Sequence, residues 1–318
     1  MVAFDVEAWR GKRVLVTGGG GVLGSALSAA LETLRPAALA VPRRADCDFL
    51  DGKATTAFFQ DFQPDVVFHL AGKVSGVQGN ISFGGEAFYE NTLINLNVIE
   101  AARLAKASKV VAAGTAAIYS DAAKLPMSEA DFWTDAPHGS EAPYGHAKRA
   151  MLAQLQAYKT QYGLDYAYMI CTNLFGPNDR FDEVYGHVVP SLVARFARSV
   201  EDKASQIVIW GNGAPTRDFL FSADAAAAFI RAAEAGEGAY NTATGHVVSI
   251  RELVETLQKI SGFEGEIVWD RDKPLGQLTR SYDVSRLTAL GWAPHESLEE
   301  GLRKTCEWYA ANRAAARA

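Results

Sequence analysis

Tyr144 and Lys148 are four residues apart, a spacing that places a phenol and an ammonium on one face of a helix. A free tyrosine titrates near pH ~10, too high for ready proton exchange at neutrality. A neighbouring cation favours the phenolate, and lowering its pKa by about three units requires roughly 4 kcal/mol of differential stabilisation. The spacing alone is common in helices. It indicates an acid catalyst only together with the hydroxyl of Thr115 at an upstream strand end and a glycine-rich turn near Gly18.

That glycine-rich turn lies between a short β-rich run and a helical pattern near the start of the chain. Gly18, Gly21 and Gly24 have a dinucleotide-binding spacing: the first permits a tight turn, the second lets the backbone approach a pyrophosphate, and the third allows close helix–sheet packing. The N–H groups that open the next helix then face the anion. A glycine cluster is often an ordinary loop, but its position after the first strand predicts nucleotide binding.

The end of the second strand distinguishes NAD from NADP. An acidic residue there bonds the ribose 2′-hydroxyl, whereas an arginine accommodates a 2′-phosphate. This chain carries Arg43 and Arg44, with no carboxylate before Asp46. We therefore expect NADP(H), the alternative being that both arginines are solvated surface charges.

Strand and helix patterns alternate through the first half of the chain. Strands are predicted at residues 13–17, 38–41, 65–70, 109–113 and 165–170, and helices at 23–34, 88–107 and 144–162. This alternation predicts an α/β fold with a Rossmann-type, doubly wound parallel sheet. Residues 1–172 would form the NADP-binding domain, with later segments returning to it. Residues 173–318 would form a smaller mixed α/β domain that mainly binds substrate.

The second half has a looser pattern, with a strand predicted at residues 206–210 and helices near 187–199, 222–235, 249–261, 283–290 and 297–312. The glycine-rich stretch 74–85 is interpreted as a mobile loop over the substrate site. The Ala/Arg-rich tail after residue 310 is interpreted as frayed helix.

Composition limits the possible functions. The 318 residues are 48% hydrophobic with a net charge of -6, and the pI is about 5.6, so no basic surface for nucleic acid is indicated. The sequence has no apolar run long enough to cross a membrane or to form a signal peptide. Cys47, Cys171 and Cys306 show neither metal-binding nor redox spacing, which predicts no metal site and a cytoplasmic protein.

Over nearly its whole length the chain resembles the extended short-chain dehydrogenase/reductase superfamily. The resemblance depends on residues 17–24, 48–51, 69–71, 91, 115–119 and 144–148. Within that superfamily it is most similar to the GDP-L-fucose synthases, the GDP-4-keto-6-deoxymannose epimerase-reductases, through residues 172–177, 187–190, 210–213, 217–220 and 283–287. The resemblance also implies a homodimer formed through the helices at 86–107 and 144–162.

The resemblance assigns roles by position. Thr115 would polarise the sugar carbonyl, Tyr144 would donate the proton, and Lys148 would bind the nicotinamide ribose and tune the tyrosine. The implied cofactor-binding residues are Gly18, Gly21, Val22, Leu23, Gly24, Arg43, Arg44, Asp48, Leu50, Leu70, Ala71, Gly72, Asn91, Ala113, Lys148, Asn173, Leu174 and His187. The implied substrate-binding residues are Thr115, Ala116, Ala117, Asn173, Arg195, Trp210, Arg217 and Arg280, with Trp210 alternatively a core residue.

Two departures from the fucose synthase pattern bear on the activity. Ala117 occupies the position of a cysteine that acts there with the histidine matched by His187 to invert C3 and C5. Alanine cannot carry a proton, so His187 is either an acid without its partner or a structural, cofactor-facing residue. Leu275 replaces an aspartate that contacts substrate, which leaves the base and the sugar open. Ala116 and Ala117 also replace the Asp-Glu pair of 4,6-dehydratases, which argues against dehydration.

The leading hypothesis is an NADPH-dependent reductase of a nucleotide-linked, preferably GDP-linked, 4-keto-6-deoxy sugar, acting at C4 without inversion at C3 or C5. The alternatives are a bifunctional fucose-synthase-like epimerase-reductase and a 4-epimerase that retains NAD. A non-catalytic nucleotide sensor is the remaining class, but binding alone would not require the set Thr115, Tyr144 and Lys148.

Overall fold

The central sheet of the protein has six parallel strands. The computed structural model describes residues 4–74, 76–272 and 277–317. In spatial order the strands are Gly238–Thr242 (β10), Asp165–Cys171 (β5), Lys109–Thr115 (β4), Val66–His69 (β3), Arg13–Thr17 (β1) and Ala38–Ala40 (β2). Each neighbouring pair is parallel. The predicted α/β, doubly wound parallel architecture is confirmed.

Helices cover both faces of this sheet, because successive side chains of a strand point to opposite sides. Val14 and Val16 of β1 join one buried apolar cluster, whereas Leu15 between them joins the other. The helices are Val6–Trp9 (α1), Val22–Leu34 (α2), Gly52–Phe62 (α3), Val77–Ser82 (α4), Gly84–Leu104 (α5), Ala142–Tyr162 (α6), Val188–Glu201 (α7), Ser222–Ala235 (α8), Ile250–Ser261 (α9), Ser285–Ala289 (α10) and Leu298–Asn312 (α11). Helices α2 and α8 contribute to the first cluster, and α3, α5 and α6 to the second.

The second half of the chain adds three two-stranded sheets and a third apolar cluster. Asn173–Phe175 (β6) pairs with Phe219–Phe221 (β9), Thr216–Arg217 (β8) with Val248–Ser249 (β11), and Gln206–Trp210 (β7) with Glu266–Asp270 (β12). The third cluster includes Phe196 of α7, Leu253 of α9 and Leu302 of α11. This part of the chain also supplies strand β10 to the central sheet and helix α8, which packs on one face of that sheet.

Two elements near the sheet were not predicted. Strand β10 has Tyr240 as its one large apolar residue, too weak a pattern to indicate a strand. Helix α3 begins with a glycine and contains two threonines, residues of low helix propensity. Asp51 compensates, since its carboxylate accepts hydrogen bonds from the N–H groups of Lys53 and Ala54.

The interpretation of residues 74–85 as a mobile loop was wrong. Residues Val77–Ser82 form α4, and Gly84 begins α5. Gly76 precedes α4, and a Cβ on it would lie 2.6 Å from the carbonyl oxygen of Gly186. Its N–H also donates to the carbonyl of Tyr185 at 2.8 Å. Gly76 therefore allows two backbones to approach closely.

The prediction of a frayed tail was also wrong. Helix α11 continues to Asn312 and is followed by a 3₁₀ turn, Arg313–Ala315. The carbonyl of Arg317 then accepts a hydrogen bond of 2.8 Å from the N–H of Phe181. The end of the described chain is thus held against the segment that follows β6.

Candidate active site

The glycine turn after β1 is closely packed. Gly18 has φ +72°, and a Cβ there would lie 2.7 Å from the backbone nitrogen of Ala71. A Cβ on Gly24 would lie 2.3 Å from the carbonyl oxygen of Gly18. Gly21 is the N-cap of α2, and among the described residues no side chain caps that helix. Val22 and Leu23, which open the helix, thus offer backbone N–H groups that fit the pyrophosphate of a dinucleotide.

A buried network of hydrogen-bonded side chains, Thr17, His69 and Asn95, lies next to this turn. The Nδ1 atom of His69 is 2.9 Å from the Thr17 hydroxyl, and its Nε2 atom is 2.9 Å from Oδ1 of Asn95. The same hydroxyl accepts hydrogen bonds of 3.1 Å from the N–H groups of Leu70 and Ala71. Burial lowers the pKa of His69 to about 3, so the ring is neutral and structural. The network orients the strand end beside which the cofactor is expected.

The two predicted 2′-phosphate ligands differ in their surroundings. The Arg44 guanidinium is ion-paired with Asp48 at 3.1 Å. Asp48 also accepts a hydrogen bond from the N–H of Leu50. Arg43 instead extends over the glycine turn, where a Cβ on Gly20 would lie 2.0 Å from its Nη1 atom. Arg43 is thus directed towards the cofactor turn, and Arg44 is engaged elsewhere.

Asn91 is fully buried and bonded to the backbone of the protein itself. Its Oδ1 accepts from the N–H of Lys73 at 3.0 Å, and its Nδ2 donates to the carbonyls of Lys73 and Ala87 at 2.9 and 2.7 Å. A Cβ on Gly72 would lie 2.7 Å from the same Oδ1. Asn91 therefore shapes the segment after β3, and cofactor contact in this region would come from that segment.

Tyr144 and Lys148 lie on the first turns of α6 and are both buried. The Nζ atom of Lys148 donates to the carbonyl of Ala113 on β4 at 2.9 Å and lies 5.8 Å from the centroid of the Tyr144 ring. Burial lowers the pKa of Lys148 to about 8. The ammonium is thus fixed between α6 and the end of β4.

The expected lowering of the Tyr144 pKa is not what the structure gives. Burial raises the pKa of Tyr144, and the nearby Glu141 carboxylate raises it further. Desolvation disfavours the charged phenolate, and it is the largest cause of the shift. Tyr144 therefore stays protonated at neutral pH, which suits a group that must deliver a proton.

Thr115 ends β4 beside this pair. It is aligned with Cys171 of β5, and its hydroxyl accepts a hydrogen bond of 3.2 Å from the N–H of Ala117. Ala116 and Ala117 lie buried in the following 3₁₀ turn. A Cβ on Gly145, next to Tyr144, would lie 2.6 Å from the carbonyl of Ala117. This glycine lets α6 approach the strand end that carries the hydroxyl.

A second charged group, which sequence reasoning missed, lies at the start of α6. Glu141 is three residues before Tyr144, and its carboxylate accepts from Arg280 at 2.7 Å. Both side chains are mostly buried. Burial lowers the pKa of Arg280, but Glu141, Tyr282 and Asp121 together raise it above the ordinary value. The three-residue spacing from Tyr144 was the only available signal for Glu141, since Arg280 is 139 residues away.

Arg217 and His187 belong to the same region. Burial lowers the pKa of Arg217, and the charge of Arg280 lowers it further, so two guanidinium groups lie near each other. His187 is the N-cap residue of α7 and is open to solvent, yet desolvation by surrounding atoms lowers its pKa, with the charge of Glu141 opposing. Glu141 is thus the carboxylate through which Arg280, Arg217 and His187 are electrostatically connected.

The remaining predicted residues lie further along the second half. The Nδ2 atom of Asn173, next to Leu174 on β6, donates to the carbonyl of Asp218 at 2.9 Å. Arg195 on α7 donates to the carbonyl of Val208 at 3.0 Å. Trp210 ends β7 with 63% of its surface exposed, which excludes the alternative that it is a core residue. Leu275 lies outside the described residues.

Neither a membrane span nor a metal cluster is found in the described part of the chain. No helix there is long and apolar enough to cross a bilayer. The same ranges contain no group of three or more His, Cys, Asp or Glu side chains that could hold a metal ion.

Known proteins resemble this chain along nearly its full length. The family model of the NAD dependent epimerase/dehydratase family matches residues 14–243. The GDP-L-fucose synthase of Escherichia coli (strain K12) is 35% identical over 312 residues, covering 95% of this chain and 97% of that protein. GDP-L-fucose synthase 1 of Arabidopsis thaliana is 34% identical over 302 residues, covering 94% of each.

Two solved structures extend the comparison. A GDP-L-fucose synthetase from Naegleria fowleri bound to NADP has a TM-score of 0.87 at 25% identity, covering 96% of each chain. A GDP-mannoheptose C4 reductase from Campylobacter jejuni with NADP bound has a TM-score of 0.86 at 25% identity, covering 97% of this chain and 100% of that one. The resemblance to GDP-L-fucose synthases is confirmed, and the chain belongs to the NAD dependent epimerase/dehydratase family, among the extended short-chain dehydrogenases/reductases.

Proposed function

We propose that the protein is an NADPH-dependent reductase that converts the 4-keto group of a GDP-linked 6-deoxy sugar to a hydroxyl. The observation that carries the proposal is the geometry of Lys148, whose Nζ is bonded to the Ala113 carbonyl and lies 5.8 Å from the Tyr144 ring centroid. A buried tyrosine and lysine, beside the hydroxyl of Thr115 and next to a dinucleotide turn, form an acid for carbonyl reduction.

Each residue has a separate part in the reaction. The cofactor supplies the hydride to C4 when bound. Tyr144 transfers its proton to the carbonyl oxygen as negative charge develops there, and Thr115 donates a hydrogen bond to the same oxygen. Lys148 lies beside Tyr144, and its ammonium offsets the negative charge left on the phenolate after the proton is transferred.

The nucleotide end of the substrate is assigned on charge. Arg217 and Arg280 are partly buried cations near each other, an arrangement suited to the diphosphate of a nucleotide sugar. Arg195 and the exposed ring of Trp210 lie on α7 and β7, where they would contact the outer part of the same substrate. The choice of GDP rests on the similarity to a GDP-L-fucose synthase and to a GDP-mannoheptose C4 reductase.

Inversion at C3 and C5 is not expected. It needs one group to remove a proton from the carbon next to the ketone and another to deliver a proton to the opposite face. Ala117 offers a buried methyl group at the position where fucose synthases carry a cysteine. The expected product therefore retains the configuration of the substrate at C3 and C5.

A bifunctional epimerase-reductase is the second candidate, and Glu141 favours it. The charge of Glu141 acts on His187, so a carboxylate and an imidazole are available in one region. The similarity to GDP-L-fucose synthases of Escherichia coli and Arabidopsis thaliana favours the same candidate. The pairing of Glu141 with Arg280 argues against this candidate, because a carboxylate in a mostly buried ion pair is a poor base.

The homodimer is retained as part of the proposal. Helices α5 and α6 pack together and expose large apolar side chains, including Phe88, Tyr89 and Leu96 on α5 and Tyr162 on α6.

The proposed compartment is the cytoplasm, because the three unpaired cysteines suit a reducing environment. The division into a cofactor part, residues 1–172, and a mainly substrate-binding part, residues 173–318, is likewise proposed, on the separate apolar cluster of the second half.

A substrate panel tests the function directly. GDP-, UDP-, dTDP- and CDP-linked 4-keto-6-deoxy sugars would be incubated with NADPH while absorbance at the reduced nicotinamide band is followed. We expect rapid NADPH consumption with the GDP-sugar and much slower consumption with the others. Conversion of a 4-keto sugar without NADPH consumption would instead indicate epimerisation at C3 or C5 without reduction. A 4-epimerase acts on a C4 hydroxyl, so it would convert none of these substrates and would be recognised by interconversion of the corresponding 4-hydroxy sugars with no added cofactor.

A further inference from the structure

A cavity of about 220 Å³ lies where the glycine turn meets the end of the described chain. Gly20, Ser25 and Arg43 line it from the cofactor side, and Trp308 and Arg317 line it from the other side. The two arginines come from segments about 270 residues apart, yet they face one cavity. No acidic side chain is among its lining residues.

Both guanidinium groups have donors available for an anion. Arg43 lies against Gly20, within the space that a Cβ there would fill, and its side chain makes no hydrogen bond or ion pair with the described residues. Arg317 donates one N–H to the carbonyl of Asn178 at 2.6 Å. A guanidinium carries five N–H donors, so most of those on Arg317 remain for a ligand.

The backbone of Arg317 is held in place. Its carbonyl accepts from the N–H of Phe181 at 2.8 Å, and residues 180 and 317 form a parallel bridge. The Phe181 ring stacks on Tyr309 and Trp308, with centroids 4.5 and 5.7 Å apart. The backbone that carries the Arg317 guanidinium is therefore anchored beside this aromatic packing.

The position of the cavity identifies which anion it suits. In this type of fold the pyrophosphate binds at the N-terminus of the first helix, and the ribose 2′-substituent lies at the end of the second strand. Arg43 follows β2, so it marks the 2′ end. Arg44 is less available there, because Asp48 holds its guanidinium.

We infer that Arg317 is a specificity residue for NADP(H), which binds the ribose 2′-phosphate together with Arg43. The inference rests on the proposed NADPH-dependent function. Arg317 is a phosphate-binding residue that the sequence could not indicate, because the sequence criterion for NADP considers only residues near the end of β2. The second half of the chain would then help to select the cofactor as well as the sugar.

The test is cofactor binding without sugar. Dissociation constants for NADPH and NADH would be measured by nicotinamide fluorescence for the wild type, Arg317→Ala and Arg43→Ala. A charged hydrogen bond to phosphate predicts about tenfold weaker NADPH binding in either variant, with NADH affinity unchanged within about twofold. Arg313→Ala is the matched control, because Arg313 pairs with Glu201 on the same tail. It should bind both cofactors as the wild type does.

Competition with 2′,5′-ADP and with ADP separates the two ends of the cofactor. Arg317→Ala should weaken 2′,5′-ADP and spare ADP, and Arg317→Lys should restore part of the loss. Equal weakening of both ligands would mean that Arg317 serves the adenosine 5′-phosphate that they share, which overturns the assignment. Unchanged NADPH affinity in a folded Arg317→Ala protein would overturn it too, while leaving the reductase proposal intact. Failure of the reductase itself would appear in the sugar panel, which does not depend on Arg317.

Discussion

The cofactor end and the sugar end of this site present different kinds of groups to the charged parts of their ligands. At the cofactor end the backbone does most of the work: glycines allow a tight turn and a helix begins with uncapped N–H groups. At the sugar end side chains from distant segments do it, with Glu141 of α6 bonded to Arg280 near Arg217. Backbone sites depend on local spacing, whereas side-chain clusters depend on the tertiary fold.

This difference predicts that substitutions at the two ends will change different quantities, namely cofactor affinity at one end and sugar binding at the other. A defect in the glycine turn should weaken cofactor binding and leave the chemistry of the bound complex largely unchanged. A defect in the Glu141–Arg280 pair should weaken the sugar complex and leave NADPH affinity unchanged. Tyr144 lies between them, and its loss should affect the chemical step alone.

Replacement of the acid should have the largest effect. Tyr144→Phe removes one hydroxyl from a buried ring, and proton transfer by a positioned side chain contributes about 10²–10⁴ in rate. We expect kcat to fall by that range with NADPH affinity within a few-fold of the wild type. Steady-state kinetics and fluorescence titration measure the two quantities. Activity close to wild type would remove Tyr144 from the mechanism.

A smaller loss is expected at the sugar end. Arg280→Gln leaves the mostly buried carboxylate of Glu141 without its cation. Loss of a charged hydrogen bond costs about 1.5–3 kcal/mol, so kcat/KM for the nucleotide sugar should fall roughly 10- to 100-fold. NADPH affinity serves as the internal control. If it fell in parallel, the two ends would not be separable.

At the cofactor end we expect NADPH affinity to fall while the chemical step is largely retained. A Cβ on Gly24 would lie 2.3 Å from the backbone carbonyl of Gly18, which cannot move like a flexible side chain. Gly24→Ala should weaken NADPH binding about tenfold while saturating NADPH restores much of kcat. Gly163→Ala is not a neutral control, because φ there is +73°. Gly139→Ala has open space around its Cβ and is the better match.

The smallest effect concerns pH. Because burial lowers the pKa of Lys148 to about 8, its ammonium predominates below pH 8 and is lost as the pH rises through that value. We expect kcat to decline several-fold above pH 8, with the limb shifted upward in Lys148→Arg. For folding the sign is reversed: the unfolded lysine keeps its proton to about pH 10.4, so this group raises stability as pH increases from 8 to 10.4. An alkaline limb unchanged in Lys148→Arg would exclude Lys148 as its origin.

What could be predicted from the sequence follows the same division. Five strands of the central sheet, the glycine turn and the pair on α6 are local patterns, and the structure contains them. Strand β10 was missed because its neighbour β5 is distant in sequence and supplies the pairing that its own residues do not indicate. The Glu141–Arg280 pair and the cavity beside Arg317 arise only when separate segments meet. The direction of the Tyr144 pKa was mispredicted because burial is a tertiary property.

Deuterium labelling tests the central claim most directly. The enzyme would be incubated in D2O with NADPH and the GDP-linked 4-keto-6-deoxy sugar, and the product read by NMR. Reduction at C4 without inversion predicts hydrogen retained at C3 and C5, because no base exchanges those protons. Ala117→Cys, which supplies the missing thiol, is the matched variant in which exchange should increase. Deuterium at C3 or C5 in the wild type, incorporated at the rate of turnover, would contradict the account and establish the bifunctional epimerase-reductase in its place.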